Sequence, residues 1–509
     1  MLFDTYAPII YDVSATKNKK KVLDNDVDAV FTNNIALPKI NLGYHHKMFG
    51  TKDKMKTLNQ FKNSKKIYLV TSLFEKDIDK KEESIRLSLD EFISTNISDK
   101  LPPVLTRAFL KLWEIIVNFD LIHNKNDFVS AHLAEGPGSF IQATILYRDY
   151  LAKTQKVKST NDRYYAVTLH SINEYLLLEK QFIDFYNKEK PKRLHILETV
   201  PTKEIYDMYG GGNNEENINP FKTDGDITRL TTIRLFGGNN RTKGFAEKSD
   251  FVTADGGFEW KNECLQEQES FALIFGQIVT ALKVQKLRGS FVLKIFETFT
   301  LVTLNFIEIL RDYYENVYVV KPYTSRASNA EKYIVCKDFK GITQKEITKL
   351  ESLITEFEKN KEYNLTSLFP DYTINEKDLK YYVKMNNHLA LTHYEAMCKF
   401  LNFLNLDNKN GIEYNKYLEL QIEASKLWTK QFLTPDLISQ NNQIITKYFI
   451  PKDQKKIEEP KSEVKEEKQV TTTETTEQST EQTKVTEDTT EVKEEKPKVK
   501  KSKIKPKKK

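Results

Sequence analysis

Five short stretches of this chain combine residue types that can hold a nucleotide-like ligand and handle a proton. The first is AHLAEGPGSF at 131–140. An apolar run ends in Glu135, and Gly136, Pro137 and Gly138 form a tight turn into a helix expected to begin near Ser139 and Phe140. Glycines let the backbone pass close to a ligand, and a helix N-terminus offers unpaired N–H groups. Alone, such a turn is a weak signal, because a glycine there serves packing equally well. The second stretch, TDGDITRL at 223–230, offers Asp226 to an adenine amine or to ribose hydroxyls; an aspartate capping its own turn is the plain alternative. In the third, SDFVTADGGF at 249–258, Asp255 follows an apolar strand at the end where open α/β sheets hold ligands. Asp250, at the strand's start, reads as a surface cap. The fourth, GSFVLKIFETF at 289–299, has Lys294 inside an apolar run. A lysine there is costly unless it is paired, functional or able to reach the sheet's edge. In the fifth, KPYTSRASNAEKYIVC at 321–336, Glu331 opens an apolar strand.

These stretches need a scaffold that gathers their ends, and residues 101–340 have the pattern of one. β-like runs occur at 128–134, 164–169, 194–197, 250–254, 290–296, 317–321 and 332–336. Segments of helical period accompany them: TRAFLKLWEIIVNF before the first, then IQATILYRDYLA, ESFALIFGQIVTALKVQK and LVTLNFIEILRDYY. The alternation predicts an α/β fold, a Rossmann-like seven-stranded sheet with helices on both faces. The last two runs are joined by only about ten residues, too few for a helical crossover, which predicts an antiparallel hairpin at one edge.

Three further regions flank this unit. Residues 1–100 mix Lys-rich stretches (KNKKK at 17–21, KKIYL at 65–69) with short apolar segments and read as an N-terminal α/β extension. Residues 341–450 read as a mainly helical accessory region, and the Gly/Asn-rich stretch within 203–224 as a loop insertion. Residues 451–509 contain neither an aromatic residue nor a glycine. They cannot bury enough surface to offset their ordering entropy, so a disordered tail is expected. Its last fourteen residues, 496–509, hold nine lysines and no acid, a tip that either attracts polyanions or stays solvated.

No apolar run approaches the roughly eighteen residues of a membrane span, and MLFDTYAPIIYDV lacks the basic-then-apolar order of a signal peptide. An intracellular protein without a membrane partner is expected. Cys264, Cys336 and Cys398 lie far apart, which indicates neither a disulfide framework nor a zinc site.

Taken together, these stretches resemble the FtsJ-like RNA 2′-O-ribose methyltransferases over about 240 residues. That family carries a Lys-Asp-Lys-Glu tetrad. Its first lysine follows an "RA..K" setting on the helix before the cofactor strand, which Arg107-Ala108-Phe109-Leu110-Lys111 matches. Its aspartate matches Asp255 in VTADGG, its second lysine Lys294 in FVLKIF, and its glutamate Glu331, after Lys321-Pro322 and Ser325-Arg326. The resemblance implies S-adenosyl-L-methionine as cofactor, held by Glu135, Gly136, Pro137, Gly138, Ser139, Phe140 and Asp226, and a seven-stranded methyltransferase sheet. There are departures. Ser139 replaces the family's second glycine, although serine can cap a helix. His170-Ser171 stand where related methyltransferases often place a ribose-binding acid. The DGG and FVLKIFETFT contexts are closer to the cap-modifying branch, which includes members encoded by large DNA viruses.

The resemblance implies transfer of a methyl group to a ribose 2′-hydroxyl, on the first transcribed nucleotides of capped mRNA or, alternatively, inside ribosomal or transfer RNA. The hydroxyl is a poor nucleophile, so the enzyme aligns the displacement and helps remove one proton. Lys294 would face the 2′-oxygen, with Lys111 beside it and Asp255 and Glu331 holding both lysines; no metal is required. Arg326 would contact an RNA phosphate, a surface ion pair being its plain alternative. A protein partner would use the helical region or the tail. The compartment implied is the cytoplasm or nucleus, with a viral factory or virion also open. A non-catalytic RNA-binding subunit of the same fold is the rival reading. A dinucleotide-dependent oxidoreductase is disfavoured because the glycine turn lacks G-x-G-x-x-G.

Overall fold

The computed structural model describes residues 8–15, 20–25, 27–55, 85–98, 100–171, 177–202, 222–239, 241–258, 260–404, 412–433 and 449–450. The expected tail, residues 203–221 of the Gly/Asn-rich insertion, KKIYL and most of KNKKK lie outside them. The β-like runs form β3 (Val129–Leu133), β4 (Arg163–Val167), β5 (Leu194–Ile196), β6 (Ser249–Ala254), β7 (Gln285–Ile295), β8 (Tyr314–Lys321) and β9 (Lys332–Phe339). Two short strands precede them, β1 (Ile9–Asp12) and β2 (Ala29–Thr32), and two follow, β10 (Asn364–Leu368) and β11 (Phe449–Ile450).

One sheet runs in the order β11-β1-β8-β9-β7-β6-β3-β4-β5. From β7 to β5 neighbouring strands are parallel, while β9 lies antiparallel between β7 and β8. The expected seven strands are present, but the sheet continues past them. β1 pairs antiparallel with β8, and β11 runs parallel to β1. The β8–β9 hairpin is therefore not at the edge. An uncovered β8 would leave a row of backbone groups unpaired, and β1 satisfies them while burying Ile10 and Tyr11.

The helices are α1 (Leu42–Met55), α2 (Ile85–Asn96), α3 (Ala108–Phe119), α4 (Ser139–Gln155), α5 (Lys180–Glu189), α6 (Leu230–Gly237), α7 (Phe271–Val284), α8 (Leu301–Tyr313), α9 (Gln344–Lys359), α10 (Glu376–Leu404) and α11 (Ile412–Phe432). Alternate residues of the central strands point to opposite faces and feed two cores. On one, Val252 and Leu293 pack with residues of α7, α8 and α9. On the other, Phe251 and Val292 pack with α3, α4 and α11. The region after 341 is mainly helical but also contributes β10, which pairs antiparallel with β2 in a separate two-stranded sheet. Among the described residues no helix is long and apolar enough to cross a membrane.

The C-terminal region is tied to the sheet by buried charge. Arg311 on α8 is paired with Glu308 and, at 2.8 Å, with Asp378 on α10. All three are nearly inaccessible to water. Removing one partner of such a group leaves its counter-charges desolvated and uncompensated. Arg311→Leu should lower stability by about 3–5 kcal/mol, read as a fall in the urea midpoint with an unchanged slope.

Candidate active site

The chain runs outward from β3 through β4 to β5, then returns to β6 on the other side of β3. This reversal opens a crevice at the C-terminal ends of β3 and β6, the place where open α/β sheets bind ligands. Register then fixes what meets there. Leu133 lies opposite Ala254, Ala254 opposite Leu293, and Lys294 opposite Tyr333. The next residue along β6, Asp255, thus falls in one row with Lys294 and Tyr333, beside the turn that begins at Glu135.

Side chains close this row into two ion pairs. Lys294 Nζ donates to the Asp255 carbonyl at 2.7 Å and lies 3.1 Å from Oδ1 of the same residue. The Tyr333 hydroxyl donates to that Oδ1 at 3.3 Å. Lys111, from α3, sits 2.7 Å from Oε1 and 2.9 Å from Oε2 of Glu331, whose Oε1 also accepts from Ser325 Oγ at 3.0 Å. The structure therefore brings together the four residues expected to form the tetrad.

Electrostatics separates the two acids. Burial raises the Asp255 carboxyl above its ordinary value, with Lys294 and then Lys111 opposing. Burial would raise Glu331 too, but Lys111, Lys294 and Lys321 outweigh it and hold the carboxyl well below the usual range.

The cofactor candidates sit at the neighbouring strand ends. Glu135 is buried; its Oε1 accepts from Ile141 N at 2.8 Å, and its Oε2 has no hydrogen-bond partner among the described residues. Burial raises its carboxyl well above the ordinary value. Gly136 N donates to Thr168 Oγ1 at 3.3 Å, and the Pro137 carbonyl accepts from Glu179 N at 2.9 Å. Gly138, with φ +112°, is the residue that caps α4. Ser139 does not cap the helix as expected. It is the first helical residue, and its hydroxyl lies 2.7 Å from Thr106 Oγ1, just ahead of α3. The ring of Phe140 is buried, 6.0 Å from that of Tyr333. Asp226 Oδ1 accepts from Thr228 N and Oγ1 at 2.9 and 2.7 Å, so it does cap its own turn, while Oδ2 is 3.5 Å from Arg229 Nε. Position 225 calls for glycine, because its φ is +78° and a Cβ there would lie 2.0 Å from the Thr168 carbonyl oxygen. Arg326 lies half-buried in the turn between β8 and β9, where its carbonyl accepts from Asn329 N at 3.2 Å.

Two positioning residues escaped the sequence reading. Glu114, one helical turn after Lys111, accepts from Tyr323 N at 2.7 Å and from Thr324 N and Oγ1 at 3.2 and 3.0 Å. Burial pushes its carboxyl up to about 7, against those donors. Lys321, the last residue of β8, donates to the carbonyls of Asn329 and Glu331 at 2.9 and 2.7 Å. Together they pin both ends of the turn that delivers Glu331. An acid inside LWEII and a lysine ending VYVVK were the available signals.

Glu114→Ala leaves three buried donors without an acceptor. It should cost about 3 kcal/mol or more in denaturant unfolding. Glu331 gives a pH signature. Its folded value is depressed, so its contribution to stability is complete above the unfolded carboxylate value of about 4.3 and is lost as pH falls toward the folded value. The stability difference between the native chain and Glu331→Gln should be flat from pH 7 to pH 5 and shrink below about pH 4, measured by urea titration at each pH.

Comparison with known proteins places this geometry. Residues 104–339 match the family model described as FtsJ-like methyltransferase. An uncharacterized protein of Acanthamoeba polyphaga mimivirus is 30% identical over 251 residues, covering 48% of this chain and 28% of that protein. The cap-specific mRNA (nucleoside-2′-O-)-methyltransferase 1 of Mus musculus is 32% identical over 215 residues, 41% of this chain and 21% of the relative. That of Trypanosoma brucei brucei is 27% identical over 238 residues, 46% of this chain and 53% of the relative. The chain thus spans from about a fifth to about half the length of these relatives. Lys111, Glu135, Asp255, Lys294 and Glu331 all fall inside the segment that matches the FtsJ-like methyltransferase family model, residues 104–339.

Proposed function

We propose that this protein is an S-adenosyl-L-methionine-dependent RNA 2′-O-ribose methyltransferase acting on the first transcribed nucleotides of capped mRNA. The observation that carries the reading is the paired cluster Lys111–Glu331 and Lys294–Asp255 at the strand ends flanking the glycine turn. The choice of capped mRNA over ribosomal or transfer RNA is supported by relatives named as cap-specific mRNA methyltransferases.

The residues around the turn fit the cofactor. The buried Glu135 Oε2 accepts no hydrogen bond among the described residues, His132 Nδ1 lying 3.9 Å away, which suits the ammonium of the methionine moiety. The Gly136–Gly138 backbone and the first turn of α4 adjoin it, and Asp226 is the acceptor offered to the adenosine. The chemistry supplied by bound S-adenosyl-L-methionine is a sulfonium-activated methyl group.

The protein's own task is to align the 2′-hydroxyl and accept its proton. Lys294 is the residue assigned to the 2′-oxygen. Asp255 holds its ammonium through both a carbonyl and a carboxylate, which fixes the nitrogen in place. Glu331 holds Lys111 in the same cluster, so two cations share the pocket without net repulsion. As the methyl carbon joined the 2′-oxygen, its bond to the cofactor's sulfur would break and the demethylated cofactor would leave as a thioether, while the hydroxyl proton would pass to Lys294 Nζ in its neutral amine form. Arg326 is the proposed phosphate contact near the target nucleotide. The reading places the enzyme inside the cell or a viral compartment, with the C-terminal helices and tail available to a protein partner.

Lys294→Ala should lower the rate of methyl transfer by roughly 10²–10⁴-fold with the fold intact by circular dichroism. With radiolabelled cofactor, label should appear on the 2′-oxygen of the first nucleotides of a capped RNA and not on the same RNA uncapped. Equal labelling of both would move the substrate to internal sites. Tight RNA binding without any transfer would favour a non-catalytic subunit.

A further inference from the structure

A cavity of about 340 Å³ opens beside the paired cluster and shares Glu331 with it. That volume is at the small end of ligand pockets, which combine apolar walls with a few polar groups. One wall is aromatic: Trp260 packs edge-on against Phe296, with ring centroids 4.7 Å apart. Phe296 also reaches the tetrad, since Lys294 Nζ lies 6.0 Å from its ring centroid. The thioethers of Met55 and Met397 add a second apolar lining, and Lys52, Gln266 and Asn329 supply polar groups.

Two parts of this lining come from outside residues 104–339. Lys52 and Met55 belong to α1; His393 and Met397 belong to α10. Buried polar contacts fasten both to the β7–β9 region. Glu297 lies 3.2 Å from Lys52 Nζ, 3.0 Å from Lys332 Nζ and 3.3 Å from His393 Nδ1. His393 Nε2 lies 3.0 Å from the Ser328 carbonyl. Burial raises the Glu297 carboxyl, but Lys332 and Lys52 outweigh it and keep the acid ionised. The pocket is therefore preformed, and the flanks complete it.

We propose that this pocket receives a nucleobase of the transcript, from the nucleotide whose ribose meets Lys294 or from an adjacent one, stacked on Trp260. The inference rests on the RNA methyltransferase reading above. Recognition of single-stranded RNA works through unstacked bases laid on aromatic rings, with polar groups reading their edges. A cavity that shares Glu331 with the cluster and meets Lys294 across Phe296 is where a strand anchored there places a base. The flanks beyond the family segment then act as RNA-recognition elements.

Tryptophan emission tests this without any need for turnover. Of the three tryptophans, Trp113 and Trp428 are 0% and 1% exposed, whereas Trp260 is half-buried and lines the pocket. A short uncapped RNA should quench the emission of the native chain. The same RNA made abasic at the target nucleotide and its two neighbours should bind roughly tenfold more weakly. Met397→Ala should raise the RNA concentration needed for half-quenching, although Met397 lies outside the family segment. Equal quenching by intact and abasic RNA overturns the proposal, as does quenching by a cap dinucleotide alone with no effect of RNA. Methyl transfer without base-dependent quenching sinks the pocket and spares the enzyme. Base-dependent quenching without methyl transfer upholds the pocket and sinks the enzymatic reading.

Discussion

A lysine next to the end of a strand in the middle of a sheet has to be neutralised where it stands. Lys294 is only 12% exposed and meets Asp255 at the end of the adjacent strand. Water would otherwise solvate that ammonium, and removing it costs several kcal/mol unless a counter-charge and hydrogen bonds replace it. The sheet answers through register: β6 and β7 are aligned so that the residues after Ala254 and Leu293 face each other. The same alignment brings Tyr333 across from Lys294 on β9, and two residues earlier on that strand's approach stands Glu331. Once the register is set, the second pair needs only a lysine from the face of α3.

That helix is itself oriented by the glycine turn. Leu105 N donates to Gln142 Oε1 at 3.0 Å, Gln142 Nε2 donates to the Pro103 carbonyl at 3.0 Å, and Thr106 meets Ser139. The glycine-turn end of α4 and the Lys111 end of α3 are thus one hydrogen-bonded unit. A departure from the family's second glycine has become a strut between the two halves of the site.

Much of this was legible beforehand for physical reasons. Lys294 and Asp255 announce themselves because charge at the end of a buried strand is expensive, and parallel strands read as apolar runs between helices. Lys111 has no such signal, since a lysine on a helix is ordinary; only its resemblance to a family setting marked it. β1 and β11 were missed because strands of four and two residues carry too little alternation to see. β10 was hidden inside a long helical stretch, and its partner β2 lies more than three hundred residues away in the chain. The pocket beside Glu331 was invisible for the same reason. Its walls come from α1, α10, Phe296 just past β7 and the turn before β9, and no local pattern announces a meeting of such distant segments.

The Lys111–Glu331 pair joins positions 220 residues apart. Closing so long a loop is entropically slow, and its cost precedes the reward of the contact. During synthesis Lys111 emerges long before its counter-ion exists, and β9 must still slot between two strands already made. Of the two ion pairs, this one is therefore the later that the nascent chain can make. A polypeptide halted just before Glu331 contains the glycine turn and the residues of all five parallel strands, yet its Lys111 has no counter-ion. Formation of the Lys111–Glu331 pair marks, in effect, that translation has reached β9.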